Sequence, residues 1–119
     1  WADAVVGRAK RGARAPEIVF EHGEARSVAS FYRQADLGVF PFRGEGFGLT
    51  ILECLASGTP VLATRSGGPL DYAADGVAWI PARPRRRRGR DEVEPDVEAL
   101  ARLMRQAFER GSPTAGERR

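Results

Sequence analysis

The sequence predicts an α/β domain built on a parallel sheet, and three observations predict it. Four short apolar runs of β-forming residues recur along the chain, helical or turn segments separate them, and the runs show little apolar–polar alternation. Strands covered by helices on both faces have no solvent side, so near-continuous apolar runs suit a parallel sheet. Strand and helix in alternation then give a layered α/β architecture. At 119 residues, 42% of them hydrophobic, the chain can bury one core and has no length left for a second lobe.

Taken in order, the predicted strands are Ile18-Val19-Phe20, Leu37–Phe40 closed by Pro41, Pro60–Thr64, and Val77–Ile80 before Pro81. Residues 1–13 read as the remainder of an upstream helix. Ser27–Ala35 is a helix with Val28, Phe31 and Tyr32 at helical spacing and Ser27 as its cap. Gly48–Ser57 is a second, stopped by Gly58 and Pro60, the usual order at a helix exit. Pro69–Ala74 is a short third with proline at its first position. Asp96–Arg110 is a fourth, with Val97, Leu100, Leu103, Met104, Ala107 and Phe108 on one stripe, as core or docking surface. Residues 82–93 read as an Arg-rich loop and 111–119 as a disordered tail, so the domain runs from 1 to 110.

Composition narrows the function classes. The lone cysteine, Cys54, rules out an internal disulfide and fits a reducing, cytoplasmic compartment; inside an apolar run it reads as a buried structural thiol. No stretch has the ~20 apolar residues that a membrane span needs. The net charge of +3 is concentrated in Arg85, Arg86, Arg87, Arg88 and Arg90, without which the chain would be slightly acidic. With no aromatics interleaved, that run reads as a solvated loop and not as a nucleic-acid surface; peripheral contact with an anionic inner membrane face is the alternative. His22 reads as a loop residue, and Trp79 as core. The chain opens at Trp1 in the middle of a helical pattern, and so reads as a piece of something longer.

Ligands of open parallel sheets bind at the carboxyl ends of the strands, in the loops that lead into helices. Pro41–Gly48 is such a loop: Gly44, Gly46 and Gly48 let a backbone approach a ligand closely, and a helix starts directly after them. Free N–H groups and the positive end of the helix dipole favour a phosphate there. The following helix, Leu49–Ala56, is apolar nearly all round and reads as buried, yet it contains Glu53. A buried carboxylate needs partners, either an arginine or the two hydroxyls of a ribose. Glu45, in the loop, can reach the other side of the phosphate, where a sugar would hang. Arg43, next to this loop, reads as an ordinary loop residue, with added charge near that phosphate as the alternative. Arg65–Pro69, with Gly67 and Gly68, follows the next strand and reads as a second wall of the same cleft.

These residues resemble the family four retaining glycosyltransferases of GT-B fold. The match is the E-x7-E motif from Glu45 to Glu53 in the form E-G-F-G-L-x-x-x-E, continued through Ala56-Ser57-Gly58-Thr59-Pro60-Val61 and Ser66-Gly67-Gly68. Upstream, Phe31–Asp36 followed by Val39-Phe40-Pro41 fits as well, and the resemblance covers residues 17–82. It implies a Rossmann-like, donor-binding C-terminal domain, with Glu53 on the donor ribose and Glu45 on the hydroxyls of the transferred sugar, as the catalytic-site acid. The main chain from Gly46 through Phe47, Gly48 and Leu49 to Thr50 would serve the sugar and diphosphate of a UDP- or GDP-sugar, walled by Gly67 and Gly68. It also implies retention of anomeric configuration, no metal or other cofactor, and an N-terminal lobe of the same protein that carries the acceptor site. The chain alone would then be inactive. Asp71 stands where the family more often has glutamate, and the Arg-rich stretch has no counterpart in the family's pattern. The alternatives are a non-catalytic nucleotide-sugar-binding module, a nucleotide-sugar epimerase of the same architecture, and an Arg-rich nucleic-acid binder.

Overall fold

A computed structural model describes residues 28–73 and 75–111. The first predicted strand, the upstream helix, His22 and the tail beyond Gly111 lie outside these residues. The described chain runs α1 (Val28–Gln34), β1 (Gly38–Phe40), α2 (Leu49–Ala56), β2 (Val61–Thr64), α3 (Pro69–Tyr72), β3 (Val77–Ile80), β4 (Ala82–Arg87), β5 (Arg90–Pro95) and α4 (Val97–Arg110). The three strands β1, β2 and β3 lie side by side in that order, both pairs parallel, with Gly38 opposite Val61 and Val61 opposite Val77. The fold is therefore the α/β, Rossmann-like parallel sheet that the alternation of elements predicts.

Position in the sheet explains the burial. All four residues of the central strand β2 are buried, whereas β1 and β3, which flank it, are mostly half-buried. α2 packs on the sheet through Ile51 and Cys54, three residues apart and so on one face, joined by Val61 and Ala63 from β2. Burying a side chain of this size stabilises by about 1.5–3 kcal/mol. The helix approaches β1 so closely that a Cβ on Gly38 would stand 2.6 Å from Cys54 Sγ. Thr59, buried after α2, donates its hydroxyl to the Tyr32 carbonyl at 2.7 Å and so satisfies the end of α1. Burial pushes the Cys54 thiol up to about 11, in keeping with a structural role.

One part of the fold departs from the sequence reading. Residues 82–93 are not a loop: β4 and β5 form an antiparallel hairpin closed by Arg88 and Gly89, both at positive φ (49° and 78°). Such a turn follows the strand twist, and opposite charges face each other across the ladder at Arg83–Glu94, Arg85–Glu92 and Arg86–Asp91. The stripe on α4, read as core or docking surface, is mostly not core. Asp96 caps the helix, accepting from the Ala99 N–H at 2.9 Å, but only Ala99 is buried, and Val97, Met104 and Phe108 are exposed. Leu103, Ala107 and Phe108 instead line a groove of about 800 Å³ with Leu37, Leu62 and Val77 near the amino ends of the strands. Among the described residues no helix is long and apolar enough to cross a membrane.

Candidate functional site

The loop from Pro41 to Gly48 leaves the carboxyl end of β1 and turns into α2 at Gly48, whose backbone is left-handed (φ 78°, ψ 49°). Only glycine adopts this conformation at little cost. There is also no room for more: a Cβ on Gly48 would lie 2.8 Å from Pro69 Cγ and 2.9 Å from the Tyr72 hydroxyl oxygen. That hydroxyl donates to the Gly48 carbonyl at 2.8 Å, and the Tyr72 ring packs on Phe47 with centroids 5.2 Å apart. Tyr72 thus ties α3 to the start of α2. Nothing in the local sequence marks Tyr72 except its place one turn after Gly67-Gly68.

No side chain caps α2. The Ile51 and Leu52 N–H groups both go to the Gly48 carbonyl, which leaves those of Leu49 and Thr50 as the open donors of the first turn. A Cβ on Gly46 would meet nothing within 4 Å, so the loop in front of the helix is open. A cavity of about 260 Å³ lies here, lined by Phe40, Phe42, Glu45, Thr50 and Ile51 among others. The larger groove beside α4 is remote from this chemistry.

The second glycine loop meets the first backbone to backbone. The Gly68 N–H donates to the Gly46 carbonyl at 2.9 Å, and a Cβ on Gly67 or Gly68 would run into the carbonyl oxygens of Glu45 and Gly46 respectively. Glu45, Gly46, Phe47, Gly48, Leu49, Thr50, Gly67 and Gly68 are therefore together at the carboxyl edge. Electrostatics agree with this layout for the loop acid. Burial, then Glu45, raises the Tyr72 phenol above its ordinary range.

Glu53 is the correction at this site. The sequence reading has it buried in an all-apolar helix, and it is exposed, as are Leu49 and Leu52. At about 100° per residue, a helix that buries Ile51 and Cys54 turns Glu53 away from the sheet. Its nearest influence is on α1: burial, then Glu53, raises the Tyr32 phenol. Arg43 follows its plainer reading. It does not extend toward an open anion site but makes a two-pronged bond to Glu94 of β5, both contacts 2.9 Å, and Arg85 bonds the same carboxylate. These hydrogen bonds hold the Glu94 carboxyl down at about 2, Arg43 contributing most. The Val93 N–H also donates to the Arg43 carbonyl at 2.8 Å, so the hairpin is seated against the glycine-rich loop.

Comparison with known proteins places this geometry. Residues 4–110 match the family described as Glycosyl transferases group 1. The chain belongs to that family. A sucrose synthase of Acidithiobacillus caldus is 43% identical over 75 residues, 61% of this chain and 9% of the relative. A D-inositol 3-phosphate glycosyltransferase of Frankia alni is 39% identical over 89 residues, 75% of this chain and 20% of that protein. The lipopolysaccharide core biosynthesis mannosyltransferase LpsB of Rhizobium meliloti is 47% identical over 60 residues, half of this chain and 17% of its own length. The chain thus spans a fifth or less of these glycosyltransferase relatives. No solved structure matches it.

Proposed function

We propose that this chain is the donor-binding part of a retaining, family four glycosyltransferase of GT-B fold, which moves a sugar from a UDP- or GDP-sugar to an acceptor. The observation that carries the reading is the meeting of the two glycine loops around the uncapped start of α2, with Glu45 and Thr50 lining one cavity there. The Leu49 and Thr50 N–H groups and the helix dipole suit a diphosphate. Glu53, one turn further along α2, accepts the ribose hydroxyls, and being exposed it is free to do so. Glu45 takes hydroxyls of the transferred sugar on the side of Tyr72.

In this reading the chemistry is departure of a nucleoside diphosphate, with the acceptor attacking on the face it leaves. The principal work of the site is to stabilise the charge that develops on the leaving oxygen, which fixed N–H donors do without reorganising. No side chain of this chain is needed as a nucleophile. Acceptor binding, and with it turnover, belongs to the longer protein.

The test is direct. Titrating the isotope-labelled chain with UDP and GDP to millimolar concentration is expected to shift the amide signals of Gly46, Gly48 and Glu53; a folded sample in which none of them moves overturns the reading. Glu53→Ala is expected to weaken nucleotide binding about 10- to 100-fold, the cost of hydrogen bonds to one exposed charged group. Glu45→Ala in the longer protein is expected to lower turnover more than nucleotide affinity.

A further inference from the structure

The Gly48 carbonyl oxygen accepts from the Ile51 and Leu52 N–H groups, both at 3.1 Å, and also from the Tyr72 hydroxyl at 2.8 Å. Two N–H groups suffice for the two lone pairs of that oxygen, so the helix start does not need the phenol. The consequence lies at the other end of the same peptide group. The Gly48 carbonyl and the Leu49 N–H belong to one planar trans unit, in which the two bonds point in opposite directions. A hydroxyl that pins the carbonyl therefore also fixes the line of the Leu49 N–H, which points out of the helix start and has no acceptor among the described residues. Each bond to a carbonyl also polarises its peptide and makes the N–H a stronger donor. Glycine has the freest backbone of any residue, so a peptide plane that begins at Gly48 gains most from an outside hold. Tyr72 is itself held, by its place on α3 and by the Phe47 ring 5.2 Å away. Burial, then the charge of Glu45, raises its phenol above the ordinary value of 10.0, so the hydroxyl stays a donor.

We propose that Tyr72 is a positioning residue for the donor's diphosphate: its hydroxyl sets the Gly48–Leu49 peptide so that the Leu49 N–H meets a phosphate oxygen. This rests on the donor-site reading above. Tyr72 acts through the main chain and need not touch the ligand. Phenylalanine in its place keeps a ring against Phe47 and leaves the peptide to the helix alone. In the same reading the ribose belongs to Glu53, which has no bond to Tyr72. The hydroxyl therefore matters to the phosphates and not to the nucleoside.

The experiment is an NMR titration of the labelled 119-residue chain with UDP, inorganic pyrophosphate and uridine, in the wild type and in Tyr72→Phe. In the free variant the Leu49 amide signal is expected to move while the rest of the spectrum stays that of the folded protein. UDP and pyrophosphate are expected to bind about 3- to 10-fold more weakly, the worth of one neutral hydrogen bond. Uridine is expected to bind as it does to the wild type. Unchanged UDP affinity in the variant overturns the proposal. So does an equal loss for UDP and uridine, the result that a general loosening of the loop would give. A wild type whose Gly46 and Gly48 signals ignore UDP, with Leu49 still displaced in the variant, would remove the donor reading and uphold the hold of Tyr72 on the peptide.

Discussion

Replacing Gly48 and Gly46 by alanine, one at a time, separates what the loop needs to fold from what it needs to bind. At Gly48 the new methyl group faces two costs. A left-handed backbone is about 1–2 kcal/mol worse for any residue with a Cβ. The methyl would also lie 2.8 Å from Pro69 Cγ and 2.9 Å from the Tyr72 hydroxyl, so α3 must move away from a buried position. Overpacking of this kind costs about 1–3 kcal/mol. Together about 2–5 kcal/mol is lost from a domain whose total stability is of the order of 5–15 kcal/mol. At a slope of about 1–3 kcal/mol/M, the urea midpoint should fall by roughly 1 M or more. At Gly46 the methyl meets nothing within 4 Å, so the midpoint should stay within the error of measurement while UDP binding weakens. The assay is urea unfolding followed by tryptophan fluorescence, with the nucleotide titration run on the same samples. A Gly48→Ala midpoint equal to wild type would mean that the loop yields freely, and would refute the packing argument. A Gly46→Ala protein that binds UDP as well as wild type would refute the open approach to the main chain.

The hairpin anchor should depend on pH in a known direction. The Glu94 carboxyl is held down at about 2, so the stabilisation it brings is complete above its ordinary value of 4.5 and is lost as pH falls toward 2. Arg43 and Arg85 side-chain N–H signals should keep their docked positions at pH 5 and move toward free-arginine positions near pH 2; a transition centred above pH 5 would contradict the assignment. Cys54 should resist thiol reagents under native conditions and react with them at the rate of unfolding, because the thiolate is disfavoured by burial. Rapid labelling of the folded chain would show that α2 lifts off the sheet.

The sheet was legible because its signals are local and strong. Leu37–Phe40, Pro60–Thr64 and Val77–Ile80 are apolar runs closed by proline, glycine or a polar residue, and each became a strand with its end trimmed by a residue at most. The glycine loops were legible as loops, and their joint position followed from the rule that βα turns gather at one edge. What failed was burial. A helix spelled Leu-Thr-Ile-Leu-Glu-Cys-Leu-Ala looks apolar on every side, but one face touches the sheet, and Leu49, Leu52 and Glu53 lie on another. The hairpin failed for a different reason. Its strands are held by pairing of charge across the ladder and by the Arg88-Gly89 turn, and hydrophobic alternation, the usual sign of a half-buried strand, is absent. The bond from Arg43 to Glu94 spans 51 positions and has no trace in local sequence.

The contact between the two glycine loops has a mechanical consequence. With Gly67 and Gly68 against the carbonyls of Glu45 and Gly46, and Tyr72 fastened to Gly48, the turns after β1 and β2 cannot shift independently. They form one stiff rim. A ligand that touches only the first loop would be felt at Gly67 and Gly68, and a substitution at either end of the rim would alter the fit at the other. Contacts of this kind, made by the chain to itself, lower the cost of ordering the loops for any ligand that seats on them.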